Sequence, residues 1–159
     1  MRQTLRTGDV ARGAVAGGNA KATDHAVVLS STVPACATAI SLLRNAIRGF
    51  ADSWRMEGWG PASFDEDRAA DMALVFTELL TNAVLHSGCA PDDALVVRLA
   101  LEGDRIRGSV TDPGPGFSTE PGAVTPRVDG GLGLFIVGRL ARAWGVKRVD
   151  AGNEVWFEF

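Results

Sequence analysis

Apolar residues recur at helical spacing through residues 71–88, where Met72, Val75, Phe76, Leu79, Leu80, Ala83 and Val84 fall on one broad face. The pattern predicts a helix packed into the core, opened by Asp65 as N-cap with Arg68 and the alanines behind it. Before it, residues 26–31 read as a short strand. Pro34 then stands near the start of a helix running to about Trp54, its apolar face built from Ala39, Ile40, Leu42, Leu43, Ile47 and Phe50. The stretch MEGWGPAS that follows is a turn. After the central helix, residues 94–101 and 106–112 alternate as two strands around the tight turn Glu102-Gly103-Asp104. Residues 113–131 lose all apolar periodicity and are rich in glycine and proline. A segment of that length inside a compact domain reads as a lid or a binding segment. A helix over 132–143 follows, with Leu134, Ile136, Val137 and Leu140 on its inner face. Strands at 146–149 and 154–159, joined by a turn at Ala151-Gly152-Asn153, then close the domain as a hairpin.

Length and composition narrow this picture. A chain of 159 residues suits one domain with a sizeable core. Residues 1–23, rich in Gly and Ala with scattered Arg2, Arg6, Arg12 and Lys21, read as a disordered tail, leaving 24–159 as the domain. Hydrophobic residues at 46% and charged residues at 22% are a soluble globular balance. No apolar run is long enough to span a bilayer or to act as a secretory signal, so the expectation is a cytoplasmic protein with no membrane partner. Cys36 and Cys89 are too few for a zinc site or a disulfide framework. A net charge of −3 supplies no overall pull toward nucleic acid.

Two polar residues break the apolar helix. Glu78 and Asn82 stand four apart at the flank of the stripe, with His86 one turn further on. A carboxylate and a carboxamide held against a core are costly unless something binds them. The pair therefore suggests a site needing a base or acceptor and a neutral oxygen ligand; taken alone it also fits an amphipathic helix whose Glu and Asn face water. A second cluster, VTDPGPGF, puts Asp112 at a strand end with Gly114 and Gly116 just beyond. Glycine lets backbone pass close to a flat ligand, and the carboxylate can accept from an exocyclic amine, as adenine would require. A plain Pro-Gly turn is the competing reading. A third, GGLGLFIVGRLA, places Gly130, Gly131 and Gly133 around Leu132 at a helix start, where free amides and the helix dipole suit phosphate. A flexible loop leading into a helix would look the same. Neither GxxxxGK[ST] nor a strand-borne GxGxxG is present, so any nucleotide geometry is of another kind.

Taken in order, Glu78-x-x-x-Asn82, Asp112-Pro-Gly114-Pro-Gly116 and Gly130-Gly131-Leu132-Gly133 closely resemble the boxes of the GHKL ATP-binding superfamily, which includes gyrase, MutL and histidine kinases. The short single-domain form ending in VWFEF looks most like the bacterial anti-sigma-factor serine/threonine kinases. The resemblance covers residues 26–159. It implies an α/β two-layer sandwich, a mixed and mostly antiparallel sheet covered on one face by helices. By the same resemblance Asn82 supplies an oxygen to Mg²⁺ bridging the phosphates of ATP, and Glu78 is the general base. Asp112 accepts from the adenine amino group, with Gly114 and Gly116 along the base. Gly130, Gly131, Leu132 and Gly133 face the phosphates, and 117–129 form a lid. The implied partners are an anti-sigma-factor antagonist and a sigma factor; a homodimer stays open. One departure stands out: relatives often carry Thr before the closing VWFE, where this chain has Glu154, which puts adenine binding in question.

Other residues divide between roles. His86 either orients Glu78 or touches phosphate, or it is a structural residue at the helix end. Arg127 and Arg139 could reach a γ-phosphate or be solvated, and the four tryptophans read as core or partner-facing packing. The function alternatives are a non-catalytic ATP-binding module that controls a partner by binding alone, a histidine-kinase catalytic domain, and an ATP-driven machine. The only histidines, His25 and His86, with no long heptad segment, disfavour the histidine kinase. Lack of a transducer domain disfavours the machine.

Overall fold

In the computed structural model, which describes residues 25–57, 64–115 and 132–159, the first strand, β1 (His25–Pro34), runs three residues past the apolar stretch that predicts it. Pro34 therefore ends a strand and does not begin a helix. It can do so because β1 lies at the sheet edge, where a missing N–H costs no ladder bond. The Ala35 amide donates to the Asp93 carbonyl and the Cys36 amide to the Pro34 carbonyl, turning the chain into α1 (Ala37–Glu57). That helix buries Ala39, Leu43, Ile47, Ala51 and Trp54, a stripe every third or fourth residue. Leu42, expected on the same face, is 52% exposed, because it falls off that stripe.

The central helix α2 (Glu66–His86) forms as its sequence predicts. Asp65 is extended at φ −90°, and its carboxylate accepts the Arg68 amide at 2.9 Å; Glu66 and Asp67 add negative charge at the positive end of the dipole. Ser87 closes the helix and Gly88, at φ +77°, reverses the chain, a conformation that glycine adopts without strain. Strands β2 (Ala94–Glu102) and β3 (Arg105–Asp112) then form a hairpin through Gly103 at φ +64°. Leu95, Val97 and Leu99 are fully buried at alternate positions of β2.

The last helix, α3 (Leu132–Leu140), stops three residues short of its expected end. Strand β4 (Ala143–Val149) begins correspondingly early and pairs with β5 (Gly152–Glu158). The stretch Ala141-Arg142-Ala143 is helix-compatible by propensity, but the Arg142 amide donates to the Glu158 carbonyl and Ala143 pairs with Glu158, so sheet pairing wins locally. Arg68 anchors this junction: its Nη1 donates to the Leu140 carbonyl at 3.4 Å and its guanidinium lies 5.3 Å from the Phe159 ring centroid.

The strand order is β1-β2-β3-β5-β4, and all four pairings among the described residues are antiparallel, within the mostly antiparallel sheet expected. Three helices pack on one face of this sheet, with α2 touching both α1 and α3, giving the expected α/β two-layer fold. Phe76 of α2 meets Phe157 edge-on at 4.9 Å, and Phe157 meets Phe159 at 5.6 Å. Gly108 makes room for this stack: a Cβ there would strike the Phe157 ring and come within 2.8 Å of Phe76 Cζ. Met56 and Glu57, expected in the turn, end α1, while the rest of that turn at 58–63 with Trp59, the tail at 1–23 and the lid at 117–129 with Arg127 lie outside the described residues.

Candidate functional site

Glu78 and Asn82 are half-buried on one face of α2, beside the start of α3. The contact between the two helices runs through Gly133, the second residue of α3. A Cβ at Gly133 would stand 2.8 Å from Glu78 Oε2, 3.3 Å from Asn82 Nδ2 and 3.4 Å from Asn82 Oδ1. Glycine is therefore required for this approach, and the open amides of the α3 N-terminus sit next to a carboxylate and a carboxamide. Among the described residues Asn82 Nδ2 is buried with no hydrogen-bond partner, so its desolvation is uncompensated there. Among the described residues the Glu78 carboxylate takes no hydrogen bond or ion pair. Leu132 is 58% exposed.

The second cluster forms at the end of β3. Asp112 is 2% exposed, and its Oδ1 accepts the Gly114 amide at 2.9 Å and Asn153 Nδ2 at 3.4 Å, with Cys89 Sγ 4.0 Å away. Gly114 is buried against the Ser87 carbonyl, close enough that no side chain could be accommodated. This contact ties the two clusters together, because Ser87 caps α2. It lies five residues beyond Asn82 and nine beyond Glu78, so the Asp112 end and the Glu78 end of the site are separated by about 7–14 Å along the helix axis. The arrangement suits an elongated ligand with a hydrogen-bond donor at one end and anionic oxygens at the other.

Of the residues singled out by sequence, Glu78, Asn82 and Gly133 thus come together, as do Asp112 and Gly114. Gly116, Gly130 and Gly131 lie outside the described residues. His86 is exposed in the last turn of α2 and Arg139 is exposed on α3; neither makes a hydrogen bond or ion pair among the described residues. Glu154 turns out to face away from Asp112. It sits opposite Thr111, on the sheet face without helices, and pairs with Lys147 at 3.0 Å. The residue opposite Asp112 is Asn153, which the local sequence pattern places in a turn. Only strand register could have found it. Among the described residues no group of three or more His, Cys, Asp or Glu side chains converges as metal ligands would.

Residues 37–159 match the family model described as the histidine kinase-like ATPase domain. The chain belongs to the histidine kinase-like ATPase family. Membership in this ATPase family implies that the domain binds ATP. The structure is also similar to a chain of the SiaB–SiaC complex from Pseudomonas aeruginosa, with a TM-score of 0.57 and 15% identity over 83% of this chain and 88% of that one. A second similar structure, the histidine kinase domain of the blue-light activated histidine kinase from Erythrobacter litoralis EL346, has a TM-score of 0.46 and 22% identity over 89% of this chain and 65% of that one. No curated protein matches the sequence. Among the described residues, no helix of this histidine kinase-like ATPase domain is long and apolar enough to cross a membrane.

Proposed function

We propose that the protein is an ATP-dependent serine/threonine kinase of the anti-sigma-factor type, which phosphorylates an anti-sigma-factor antagonist and sequesters a sigma factor in the cytoplasm. The observation that carries this reading is the approach of Glu78 and Asn82 to Gly133: a carboxylate and an amide N–H₂ that have no partner among the described residues, at a helix N-terminus, within a family whose ligand is ATP. A site that only held nucleotide would have no use for an unpaired carboxylate beside the phosphates, where like charge repels. That the similar Pseudomonas structure is a complex of two proteins is in keeping with a protein partner.

In this reading the base of ATP lies toward Asp112, whose carboxylate accepts from the exocyclic amine, and the Gly114 backbone runs alongside it. The phosphates lie toward the α3 amides at Gly133. Asn82 Oδ1 fits a magnesium ion by chemistry, because Mg²⁺ takes neutral hard oxygens and needs few protein ligands, while the unsatisfied Nδ2 is a donor suited to a phosphate oxygen. Held there by Asn82, it would neutralise phosphate charge. Glu78 takes the proton from the incoming Ser or Thr hydroxyl as the hydroxyl oxygen bonds to the γ-phosphorus. The bond from that phosphorus to the β–γ bridging oxygen breaks, and ADP leaves with the electron pair.

The test is transfer of labelled phosphate from ATP to candidate antagonist proteins by the purified protein and by Glu78→Gln. The expected outcome is transfer by the parent and a loss of about 10²–10⁴-fold in the variant, with ATP binding retained. Partner regulation unchanged by Glu78→Gln would instead identify a module that acts by nucleotide-dependent binding alone.

A further inference from the structure

Five residues at the ends of two hairpins share one polar network at the Asp112 end of the site. Asn153 pairs with Asp112 in the β3–β5 register and with Arg148 in the β4–β5 register. Its Nδ2 donates to the Gly114 carbonyl at 2.8 Å and to Asp112 Oδ1 at 3.4 Å. Arg148 Nη1 donates to Asn153 Oδ1 at 2.9 Å, to the Gly114 carbonyl at 3.1 Å and to the Pro115 carbonyl at 3.2 Å. The Gly114 amide completes the ring on Asp112 Oδ1.

The chemistry of the donors decides the orientation of every group in this ring. Arginine can only donate, so the end of the Asn153 amide that it meets must be the oxygen, and the end facing Asp112 must be the N–H₂. An N–H₂ facing the carboxylate, together with the Gly114 amide, saturates Oδ1. Among the described residues Oδ2 accepts no hydrogen bond, and it remains the acceptor for a donor from outside. The same arginine pins two successive carbonyls, those of Gly114 and Pro115, immediately before the glycine-rich segment.

We propose that Asn153 and Arg148 are positioning residues for the purine base: they hold Asp112 with Oδ2 free to accept an exocyclic amine, and so set the preference for 6-aminopurine nucleotides. The proposal rests on the reading of Asp112 as the residue that contacts the base. Without the network the carboxylate can rotate and pair with the Gly114 amide through either oxygen, and the recognition atom is no longer held in place.

Calorimetric titration with MgATP and with the triphosphate of purine riboside, which lacks the 6-amino group, tests this in the parent, Asn153→Ala and Arg148→Gln. The parent is expected to prefer ATP, and both variants to lose about tenfold of that preference through weaker ATP binding alone, the purine riboside triphosphate affinity staying constant. Arg148 is exposed, so Arg148→Gln retains the fold and keeps the comparison decisive if Asn153→Ala melts. An unchanged ratio, or equal weakening of both nucleotides, would overturn the positioning role and leave the Asp112 reading standing. A parent protein that binds both triphosphates equally would instead overturn the Asp112 reading itself, and this proposal with it.

Discussion

Replacing Gly133 by alanine should separate stability from activity. Alanine gains up to about 1 kcal/mol over glycine from helix propensity. Gly49 of α1 calibrates that gain, because a Cβ there meets nothing within 4 Å. At Gly133 the new methyl would stand 2.8 Å from Glu78 Oε2, so the carboxylate must retreat by about 0.5–1 Å to reach van der Waals separation. The carboxylate is the far end of a flexible side chain, and moving it off its rotamer costs about 0.5–1.5 kcal/mol. The two effects nearly cancel, so the melting temperature of Gly133→Ala should stay close to that of the parent, while Gly49→Ala melts slightly higher. Phosphate transfer responds differently, since displacing a proposed base by a distance of this order costs about 100-fold. The assay pairs thermal unfolding with initial rates of transfer from labelled ATP. Transfer by folded Gly133→Ala at nearly the parent rate would refute the reasoning, because Glu78 could not then be working where it meets α3.

The remaining predictions follow from single contacts. Asn82→Ala removes an amide whose buried Nδ2 has no partner among the described residues, so stability should change by less than about 1 kcal/mol while magnesium-dependent ATP binding is lost; titration with and without metal checks this, and unchanged affinity rules out the metal role. Asp112→Ala should weaken ATP by about 1–3 kcal/mol and lower the melting temperature, because the Gly114 amide and Asn153 Nδ2 lose their shared acceptor. Parent protein that binds GTP as tightly as ATP would contradict the adenine assignment. Gly108→Ala should destabilise by at least about 1–3 kcal/mol through overpacking against Phe157 and Phe76, read as a drop in denaturant midpoint at constant slope.

The parts of this protein legible in its sequence are those governed by local rules. The α2 helix announces itself by apolar spacing, an Asp65 cap and a terminating glycine, all acting within one or two turns. The β2–β3 hairpin is similarly local, set by alternation and a glycine turn. Glu78 and Asn82 are visible because polar residues interrupt that apolar face. Their meeting with Gly133 is not, since it depends on how α3 docks on α2 more than fifty residues later. The boundaries that differ also differ for a nonlocal reason: Pro34 is held in a strand by the Ala94 register, and Ala143 is drawn out of a helical stretch by pairing with Glu158.

The Asp112 site divides in the same way. Sequence alone determined that an acidic residue followed by two glycines ends a strand, because strand alternation and turn chemistry act between neighbours. Only the tertiary structure decided that Asn153 faces this carboxylate and that Glu154 turns to the opposite side with Lys147. Successive strand residues point to opposite faces, so one step of register exchanges their roles. Register between β3 and β5 is set by the packing of Phe157 over Gly108, far from the site in sequence, which no local pattern around Asp112 contains.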